Sequence, residues 1–572
     1  MDKTAKTNFI IVSGGVISGV GKGVVTASTA KILIEHGYKT TVIKIDPYIN
    51  FDAGTLRPTE HGEVWVTYDG GEIDQDLGTY ERFINQDIPK KNNITTGQIY
   101  QSVITKERNG EYLGQTVQFI PHITDEIIAR IQDAAKGYDF VVIEIGGTAG
   151  DHENVPFLYA VKALEREFGV HRVAHVLVTY LPVPGHIKEM KTKPTQQAIS
   201  MLGMQGIMPD FIVCRSHEPI DDVRKKKIEI FAHISPDHII SAPDIDVVYE
   251  LPLLLEQQQF GDKLLRHFNA TPEQIPSWDN WKKRVDCLKK PSKKVSIAVV
   301  GKYLDIGDFS LTDSYLSVYH SLIHAGIEHG HGVSVSWIDA KQFEINPQSI
   351  SALSLYDGVV IPGGFGESGV EGKIKAIEYV RIHAIPYLGL CYGMQLATVE
   401  YARNICHLEG AHTTEVNNAT PHPIVDIIPM QKDILCSHRY GGTMRLGSYP
   451  AHIIQGSKVY TLYNNAGLLI DGSVFERHRH RYEVNPLYVD MLTSRGLVFS
   501  GVCIREDGTR LMEFVELPNH PFFIATQAHP EFTSKFEQPN PLFAGFIVAA
   551  QLCKDKQIVS QKISEQLLTQ SL

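Results

Sequence analysis

The sequence predicts an α/β protein with two doubly wound domains. Two alternating series of short apolar runs and helix-like segments support this fold class, because strands that alternate with helices form parallel sheets with right-handed crossovers. The first series contains FIIVS, KTTVIKID, YDFVVIEIGG, RVAHVLVTYL and PDFIVCRS, and the second contains VSIAVVGKY, GVSVSWIDA, YDGVVIPGG, PYLGLC and FIATQAHP. Continuous apolar runs of this length are typical of strands that are buried on both faces of a sheet.

The segment between the two series differs in composition. Residues 269–294, NATPEQIPSWDNWKKRVDCLKKPSKK, are rich in Pro, Trp and Lys and lack strand periodicity, which predicts an interdomain linker. We therefore expect a first domain at residues 1–268, the linker at 269–294, a second domain at 295–553 and a polar helix or tail at 554–572.

Composition excludes several classes of protein. A net charge of -11 argues against a nucleic-acid coat and an anionic membrane surface. No window approaches the roughly 20 apolar residues that span a bilayer, and the first residues lack the apolar stretch of a signal peptide. The 7 cysteines have no CxxC spacing. This pattern indicates a reduced, cytoplasmic chain rather than a disulfide framework or a zinc site.

A glycine-rich turn, SGGVISGVGKGVVTAS, lies between the first predicted strand and a helix. Such a turn directs backbone N–H groups toward one point, and Lys22 and the positive end of the helix dipole add charge, so the turn can hold a triphosphate. The spacing between Gly15 and Gly21 is one residue longer than in the standard phosphate loop, and Gly23 stands where a Ser or Thr usually binds magnesium. A tight structural turn is the alternative interpretation.

Without that hydroxyl, magnesium needs other ligands. Glu144 ends the apolar strand FVVIEI, and Asp76 lies in EIDQDLGTYERF. Magnesium prefers such carboxylates together with phosphate oxygens. Either acid alone could instead be a solvated or capping residue. The lysines of KTKPTQ and RKKKIEIF could bind a second phosphate-bearing ligand or form a solvated face.

The second domain contains a candidate nucleophile. Cys391 is the centre of a G-x-C-x-G pattern between an apolar run and a helix, which is the cysteine version of the nucleophile elbow. The N–H of Tyr392 could face a developing oxyanion, and Gly364 of PGGFG could supply a second N–H. In ATQAHPEF, His529 could take the thiol proton, and Glu531 would share its face if the stretch is extended. Each feature alone could be structural, as a buried Cys or a His-Pro turn.

These motifs resemble those of a known protein family. The Cys-His-Glu set with PGGFG and GLCYGMQ resembles the class I glutamine amidotransferases. Together with GGVISGVGKG, KIDPYIN, HGEVWVTYDG, DLGTYERF, NNITTGQIY, IPHIT, EIGGTAGD, KTKPTQ, GGTMRLG and ERHRHRYEVN, it resembles the CTP synthase family over roughly residues 8 to 550. The resemblance implies a P-loop-type, dethiobiotin-synthetase-like synthetase domain followed by a class I glutamine amidotransferase domain.

The resemblance also implies a reaction and its partners. ATP phosphorylates the 4-oxygen of UTP, and ammonia from glutamine displaces that phosphate to give CTP. Mg²⁺ is the expected cofactor, CTP a feedback inhibitor and GTP an activator of the glutaminase. A cytoplasmic homotetramer, with filaments as a further possibility, is the expected assembly, without nucleic-acid or membrane partners.

Site residues follow from the resemblance position by position. The implied ATP contacts are Ser18, Gly19, Val20, Gly21, Lys22, Gly23, Lys44 and Asp76, and the implied magnesium ligands are Asp76 and Glu144. The implied UTP or CTP contacts are Ser18, Gln118, His122, Glu153, Lys191, Gln196 and Lys227. In the glutaminase, Cys391, His529 and Glu531 are the implied catalytic residues, and Gly364, Tyr392, Gln395, Glu415 and Arg481 the implied glutamine and oxyanion contacts.

The sequence departs from the family after PGGFG. Glu367 and Ser368 stand where the family usually has another residue and an arginine, so a response to GTP is in doubt. Leu56, Arg57, Glu60 and Gln75 are also unusual, but none replaces a catalytic residue. Two other hypotheses remain: a two-domain amidoligase that acts on a carboxylate, and a non-enzymatic filament or scaffold protein.

Overall fold

The computed structural model describes residues 7–57, 61–302, 305–306, 309–310, 312–428, 431 and 441–570. Two compact units form from the chain. The first contains Met1–Ala53 and Asp76–Val285, and the second contains Gly54–Gln75 and Asp286–Leu572. The predicted class of two doubly wound α/β domains is confirmed, whereas the domain limits and the linker role of residues 269–294 stay predictions.

Within the described residues, the first unit has a seven-stranded sheet in which every neighbouring pair is parallel. The order of its strands is Asn93–Thr95, Thr40–Asp46, Phe140–Ile145, Asn8–Gly14, Val173–Tyr180, Phe211–Ser216 and Ile239–Pro243. Chain order reverses around the strand Asn8–Gly14, and ligands of doubly wound sheets bind at the carboxyl ends of the strands at such a point. The glycine-rich turn follows the strand Asn8–Gly14, and Glu144 lies near the carboxyl end of the neighbouring strand Phe140–Ile145.

The helices of the first unit cover this sheet. Those that the structure describes are Lys22–Glu35, Asp76–Ile84, Thr96–Arg108, Thr124–Ala135, Val155–Phe168, Lys193–Met204, Asp222–Ala232, Leu251–Gln257, Phe260–His267 and Asp279–Lys289, the last of which ends in the second unit. The last helix lies inside the segment that the sequence predicts as a linker. On one face of the sheet, Phe9, Ile11 and Ile143 pack into a core that the helix Thr124–Ala135 helps to cover.

The second unit contains a mixed sheet, nine-stranded in the part of the chain that the structure describes. Its order is His331–Asp339, Lys293–Gly301, Gly358–Ile361, Tyr387–Leu390, Phe523–Thr526, Arg510–Glu516, Val498–Ile504, Arg445–Ile453 and Ser473–His480. The first five are parallel and the remaining pairs are antiparallel. Side chains of Lys293–Gly301 alternate between two cores, with Ile297 and Val299 on one side and Ala298 and Val300 on the other, as expected for a sheet buried on both faces.

Helices Leu316–Glu328, Lys341–Ile345, Val370–Ile382, Tyr392–Asn404, Lys458–Asn465, Pro486–Ser494 and Pro541–Gln570 surround this sheet. The strands His412–Thr413, Pro423–Ile427 and Tyr482–Val484 form a smaller sheet, and Asp305–Ile306 pairs with Phe309–Ser310. No helix in the described ranges is both long enough and apolar enough to cross a membrane.

The hairpin of strands Val64–Val66 and Glu72–Asp74 belongs to the second unit, and its residues lie within the predicted first domain, 1–268. Its side chains explain this grouping. The buried Trp65 ring lies 4.9 Å from the Phe532 ring, and Arg477 donates a hydrogen bond to the carbonyl of Val66 at 3.0 Å. Arg479 donates to Glu72 at 2.8 Å.

Candidate active sites

The turn at Cys391 has the strained geometry of a nucleophile elbow. Cys391 follows the strand Tyr387–Leu390, precedes the helix Tyr392–Asn404 and has a φ of 48°, which is unusual for a residue with a side chain. Gly393 is required because a Cβ there would lie 2.2 Å from the carbonyl oxygen of Ile361. The sequence pattern therefore has a steric cause: only small neighbours let the turn present the sulfur at the end of the sheet.

The predicted catalytic residues lie together in the second unit. His529 Nδ1 is 2.7 Å from Glu531 Oε1, and Gly363 adjoins both the imidazole and the thiol residue, since a Cβ on Gly363 would lie 2.9 Å from His529 Cε1 and 3.8 Å from Cys391 Cβ. The segment Pro530–Phe532 is a 3₁₀ turn, so the extended conformation assumed in the sequence analysis is not the one that pairs His529 with Glu531. Within the described residues, His529 Nε2 has no hydrogen-bond partner and is available to the thiol or to a substrate.

The electrostatics of His529 favour the imidazolium. Burial alone would lower the pKa of His529, but the carboxylate of Glu531 and the sulfur of Cys391 outweigh it and raise the pKa to about 10. At neutral pH the imidazole of His529 therefore carries a second proton. A thiolate is the reactive form of cysteine, so this arrangement suits a nucleophilic thiol.

Gln527 is a site residue that the sequence analysis missed. Its Nε2 donates to Cys391 Sγ at 3.6 Å, and its Oε1 accepts from Gln395 at 3.3 Å. The residue lies in the quoted ATQAHPEF stretch, two positions before His529. The spacing of two residues between Gln527 and His529 could have indicated this role. Both residues follow the strand Phe523–Thr526, and residues two positions apart in an extended segment lie on the same face.

The predicted glutamine contacts Gln395, Glu415 and Arg481 are each held by hydrogen bonds within the second unit. Gln395 Nε2 donates to the carbonyl of Tyr482 at 2.9 Å, while its Oε1 is buried without a partner in the described part of the chain. Glu415 accepts from the N–H of Gly366 at 2.6 Å, and burial raises the pKa of Glu415 above its ordinary value. Arg481 donates to Gln431. A carboxylate, a guanidinium and an unsatisfied amide oxygen are the groups that would bind a zwitterionic amino acid.

A cavity of about 70 Å³ adjoins Cys391. Gly364, Phe365 and Arg479 line it together with His529 and Glu531, and Glu63 and Val64 of the hairpin region complete it. Glu63 is held in place by the N–H and hydroxyl of Ser317, the former at 3.0 Å. Sequence reasoning could not place this segment, because the contact spans more than two hundred residues of chain.

In the first unit, the glycine-rich turn has the features of a phosphate site. Gly19 and Gly21 have φ values of 73° and 93°, and Ser18 and Gly19 are exposed while Val20 is buried. Lys22 begins the helix Lys22–Glu35, and its Nζ donates to the carbonyl of Gly147 at 2.7 Å. Burial lowers the pKa of Lys22, and the carboxylate of Glu144 partly offsets this.

Asp76 and Glu144 converge beside this turn. Lys44 contacts both, with Nζ 3.0 Å from Glu144 Oε1. Burial alone would lower the pKa of Lys44, but Asp76 and Glu144 raise it well above the ordinary value. Tyr80 donates to Glu144. The predicted ATP contact and the two predicted magnesium ligands therefore form one cluster.

The residues present fit a magnesium ion. A Cβ on Gly23 would lie 3.1 Å from Asp76 Oδ1, so the carboxylate occupies the space that a Ser or Thr side chain would need. In the described part of the chain no three His, Cys, Asp or Glu side chains form a metal cluster. Two carboxylates with the remaining ligands from phosphate and water are the usual magnesium arrangement at a nucleotide.

The structure brings together some predicted UTP contacts and not others. The N–H of Gln118 donates to His122 Nδ1 at 3.0 Å, and Lys191 pairs with Glu189 at 2.6 Å. Glu153 and Lys227 are exposed and Gln196 is half-buried. A cavity of about 300 Å³ lies beside the phosphate loop, lined by Thr148–Asp151, Pro194 and other residues close in sequence to Glu153 and Gln196.

Comparison with known proteins places these two sites in one family. The model of the CTP synthase N-terminus matches residues 8–270, and that of class-I glutamine amidotransferases matches residues 310–549. The CTP synthase of Pyrococcus furiosus is 48% identical over 97% of this chain and 100% of its own length. The chain belongs to the CTP synthase family. Its similarity to the CTP synthase of Methanocaldococcus jannaschii is 47% over 95% of this chain and 98% of the relative.

Among solved structures, the glutaminase domain of Trypanosoma brucei CTP synthase with bound acivicin is 34% identical. It covers 45% of this chain and 94% of its own, with a TM-score of 0.40. As a member of the CTP synthase family, the chain carries both halves of a ligase that uses glutamine as nitrogen donor, and ATP is the expected substrate of its first half.

Proposed function

We propose that this protein makes CTP from UTP, ATP and glutamine. One observation carries the proposal: a single chain holds a phosphate loop with Lys44, Asp76 and Glu144 clustered beside it, and a buried Cys391 with His529 and Glu531 around it. The full-length similarity to CTP synthases supports the choice of UTP as the acceptor of nitrogen.

In the glutaminase, Cys391 Sγ attacks the side-chain amide carbon of glutamine. Negative charge then develops on the amide oxygen, where the N–H groups of Gly364 and Tyr392 would stabilise it. His529 gives its proton to the departing nitrogen, which leaves as ammonia, and a thioester remains on Cys391. Water then attacks the thioester, with His529 as the base, and releases glutamate.

Binding of glutamine uses complementary charge. Glu415 would bind the α-ammonium group of glutamine, and Arg481 would bind its α-carboxylate. The free side-chain oxygen of Gln395 would accept a hydrogen bond from a further N–H of the substrate. Because Glu415 and Gln395 are already held by Gly366 and Tyr482, the pocket does not need to form around the ligand.

In the synthetase, the turn of Ser18, Gly19, Val20, Gly21, Lys22 and Gly23 would hold the ATP phosphates, and Asp76 and Glu144 would hold Mg²⁺. The bound ion would offset the charge of the transferred phosphoryl group. Lys44 would move between its carboxylate partners and the γ-phosphate. Gln118, His122, Glu153, Lys191, Gln196 and Lys227 would bind UTP. Phosphate on the 4-oxygen of UTP makes that oxygen a good leaving group, and ammonia replaces it.

Regulation and assembly complete the proposal. We expect CTP to inhibit as a product that shares the UTP site, and a homotetramer, which could assemble further into filaments, to be the working form. Activation by GTP is in question, because Glu367 and Ser368 lie exposed in the loop after Gly366 and replace the positive charge usual in the family. A cytoplasmic location is part of the proposal, since a reduced thiol must persist.

The decisive test is product analysis with UTP, ATP, Mg²⁺ and glutamine, with and without GTP. CTP, ADP, phosphate and glutamate should form in equal amounts. Cys391→Ala should abolish CTP formation from glutamine and leave formation from ammonium unchanged, whereas Lys22→Ala should impair both. Absence of CTP even with ammonium, or turnover only with a carboxylate acceptor, would reject the proposal in favour of another amidoligase, and absence of any turnover would favour a scaffold.

A further inference from the structure

A buried lysine lies behind the Cys391 pocket and has no role in the chemistry described above. Lys373, on the helix Val370–Ile382, is 0% exposed. Its Nζ donates one long hydrogen bond, 3.5 Å, to the carbonyl of Pro362, and no carboxylate pairs with it in the described part of the chain. Burying an amine with so few partners costs free energy that a methionine would not. Burial lowers the pKa of Lys373 to about 7.

Both contacts of this amine are with residues that flank the oxyanion site. Pro362 precedes Gly363 and Gly364 directly, and Tyr392 directly follows Cys391. The Nζ of Lys373 lies 5.6 Å from the centre of the Tyr392 ring. One side chain thus bonds the Pro362 carbonyl and lies over the Tyr392 ring, and these residues belong to the two segments whose N–H groups we assign to the oxyanion.

The other end of the same loop is held in a similar way. Lys302 Nζ donates to the carbonyl of Gly366 at 3.3 Å and also lies 5.6 Å from the Tyr392 ring. The Tyr392 hydroxyl donates to the same carbonyl at 3.1 Å. The loop Pro362–Gly366 is therefore fixed at its start by Lys373 and at its end by Lys302 and Tyr392.

We propose that Lys373 is a positioning residue for the oxyanion site of the glutaminase. It holds the Pro362–Gly363 peptide and the Tyr392 ring together, so that the N–H groups of Gly364 and Tyr392 point at one place. In the described part of the chain no hydrogen bond joins Lys373 to the sulfur of Cys391, and its hydrogen bond goes to the carbonyl of Pro362. The proposal rests on the glutaminase activity proposed above.

The expected effect is on the rate of chemistry rather than on binding. Removal of an oxyanion donor lowers kcat by about 10²- to 10³-fold, and a donor that is only misdirected should cost less, on the order of 10- to 30-fold. Glutamine binding uses Glu415, Arg481 and Gln395, so KM should stay within about twofold.

Lys373→Met and Lys373→Leu test this, two variants being made so that the result does not depend on the packing of one side chain. Glutamine hydrolysis is measured as kcat and KM, together with CTP formation from ammonium and the rate of Cys391 alkylation by iodoacetamide. We expect only kcat for glutamine to fall. Lys375→Met is the matched control, because Lys375 lies on the same helix and its Nζ also donates to a backbone carbonyl, that of Phe343, at 3.5 Å. It should behave as wild type.

An unchanged kcat in both Lys373 variants would overturn the proposal. So would an alkylation rate that falls in parallel with kcat, because Lys373 would then act on the thiol rather than on the oxyanion site. These results differ from failure of the proposed function, in which the wild-type protein itself would hydrolyse no glutamine.

Discussion

Replacement of Glu531 by Gln removes a charge from the glutaminase site while keeping the shape of the side chain. Glu531 Oε1 lies 2.7 Å from His529 Nδ1, and both side chains are buried. A glutamine at 531 can still accept a hydrogen bond, but it no longer stabilises the imidazolium. The imidazolium that gives its proton to the departing nitrogen is therefore less stable in the variant.

The magnitude follows from the pKa of His529. Its rise from 6.5 to about 10 corresponds to about 5 kcal/mol at roughly 1.4 kcal/mol per pKa unit. Glu531 shares this effect with Cys391, so we assign about half of it, on the order of 2 kcal/mol, to the carboxylate. The variant should therefore lose about 30-fold in kcat for glutamine hydrolysis, at ~1.4 kcal/mol for each factor of ten.

Glutamine hydrolysis and ammonium-dependent CTP formation, measured on the same preparation, form the assay. Only the first rate should fall. Glu400→Gln is the control for the loss of a buried carboxylate, since Glu400 pairs with Arg381 at 2.6 Å and is not part of the thiol site. A Glu531→Gln enzyme with wild-type kcat, or one no more impaired than Glu400→Gln, would refute the reasoning.

Three further predictions concern other contacts. Gln527→Met removes the donor 3.6 Å from the sulfur; an ordinary hydrogen bond contributes about 0.5–1.5 kcal/mol, so iodoacetamide alkylation should slow by about 2- to 10-fold, and an unchanged rate would exclude the bond. Gly23→Ser places a Cβ 3.1 Å from Asp76 Oδ1. The variant should therefore form CTP more slowly than wild type from both nitrogen sources, while its glutamine hydrolysis without nucleotide stays at the wild-type rate. CTP formation at the wild-type rate would show that Asp76 has room to move. The pKa of His529 is raised to about 10 in the folded protein. The contribution of the His529–Glu531 pair to the free energy of unfolding is therefore complete below pH 6.5, and it decreases as the pH rises toward 10. In urea unfolding, the advantage of wild type over Glu531→Gln should shrink over that range, and a constant advantage would contradict the sign.

Much of the fold was predictable because it depends on local sequence. Apolar runs of strand length, glycine-rich turns and helix-like segments follow one another in both halves, and the structure places buried strands at those runs. The Cys391 elbow was also readable, since Gly393 is demanded by a contact with Ile361 that any side chain would block. Gly23 likewise pointed to a carboxylate in place of a hydroxyl, and Asp76 fills that space.

The sequence by itself thus determined the fold class, the two chemistries and the residues that carry charge or a thiol, because these depend on residue type and short spacing. Only the tertiary structure decided which distant residues meet. Glu63 and Trp65 lie in the same unit as the glutaminase residues, and Gln527 donates a hydrogen bond to the sulfur of Cys391. Lys373 donates to the carbonyl of Pro362 and lies over the ring of Tyr392. Such contacts join segments far apart in the chain, and they are set by how sheets and helices pack, which no local pattern of residues specifies.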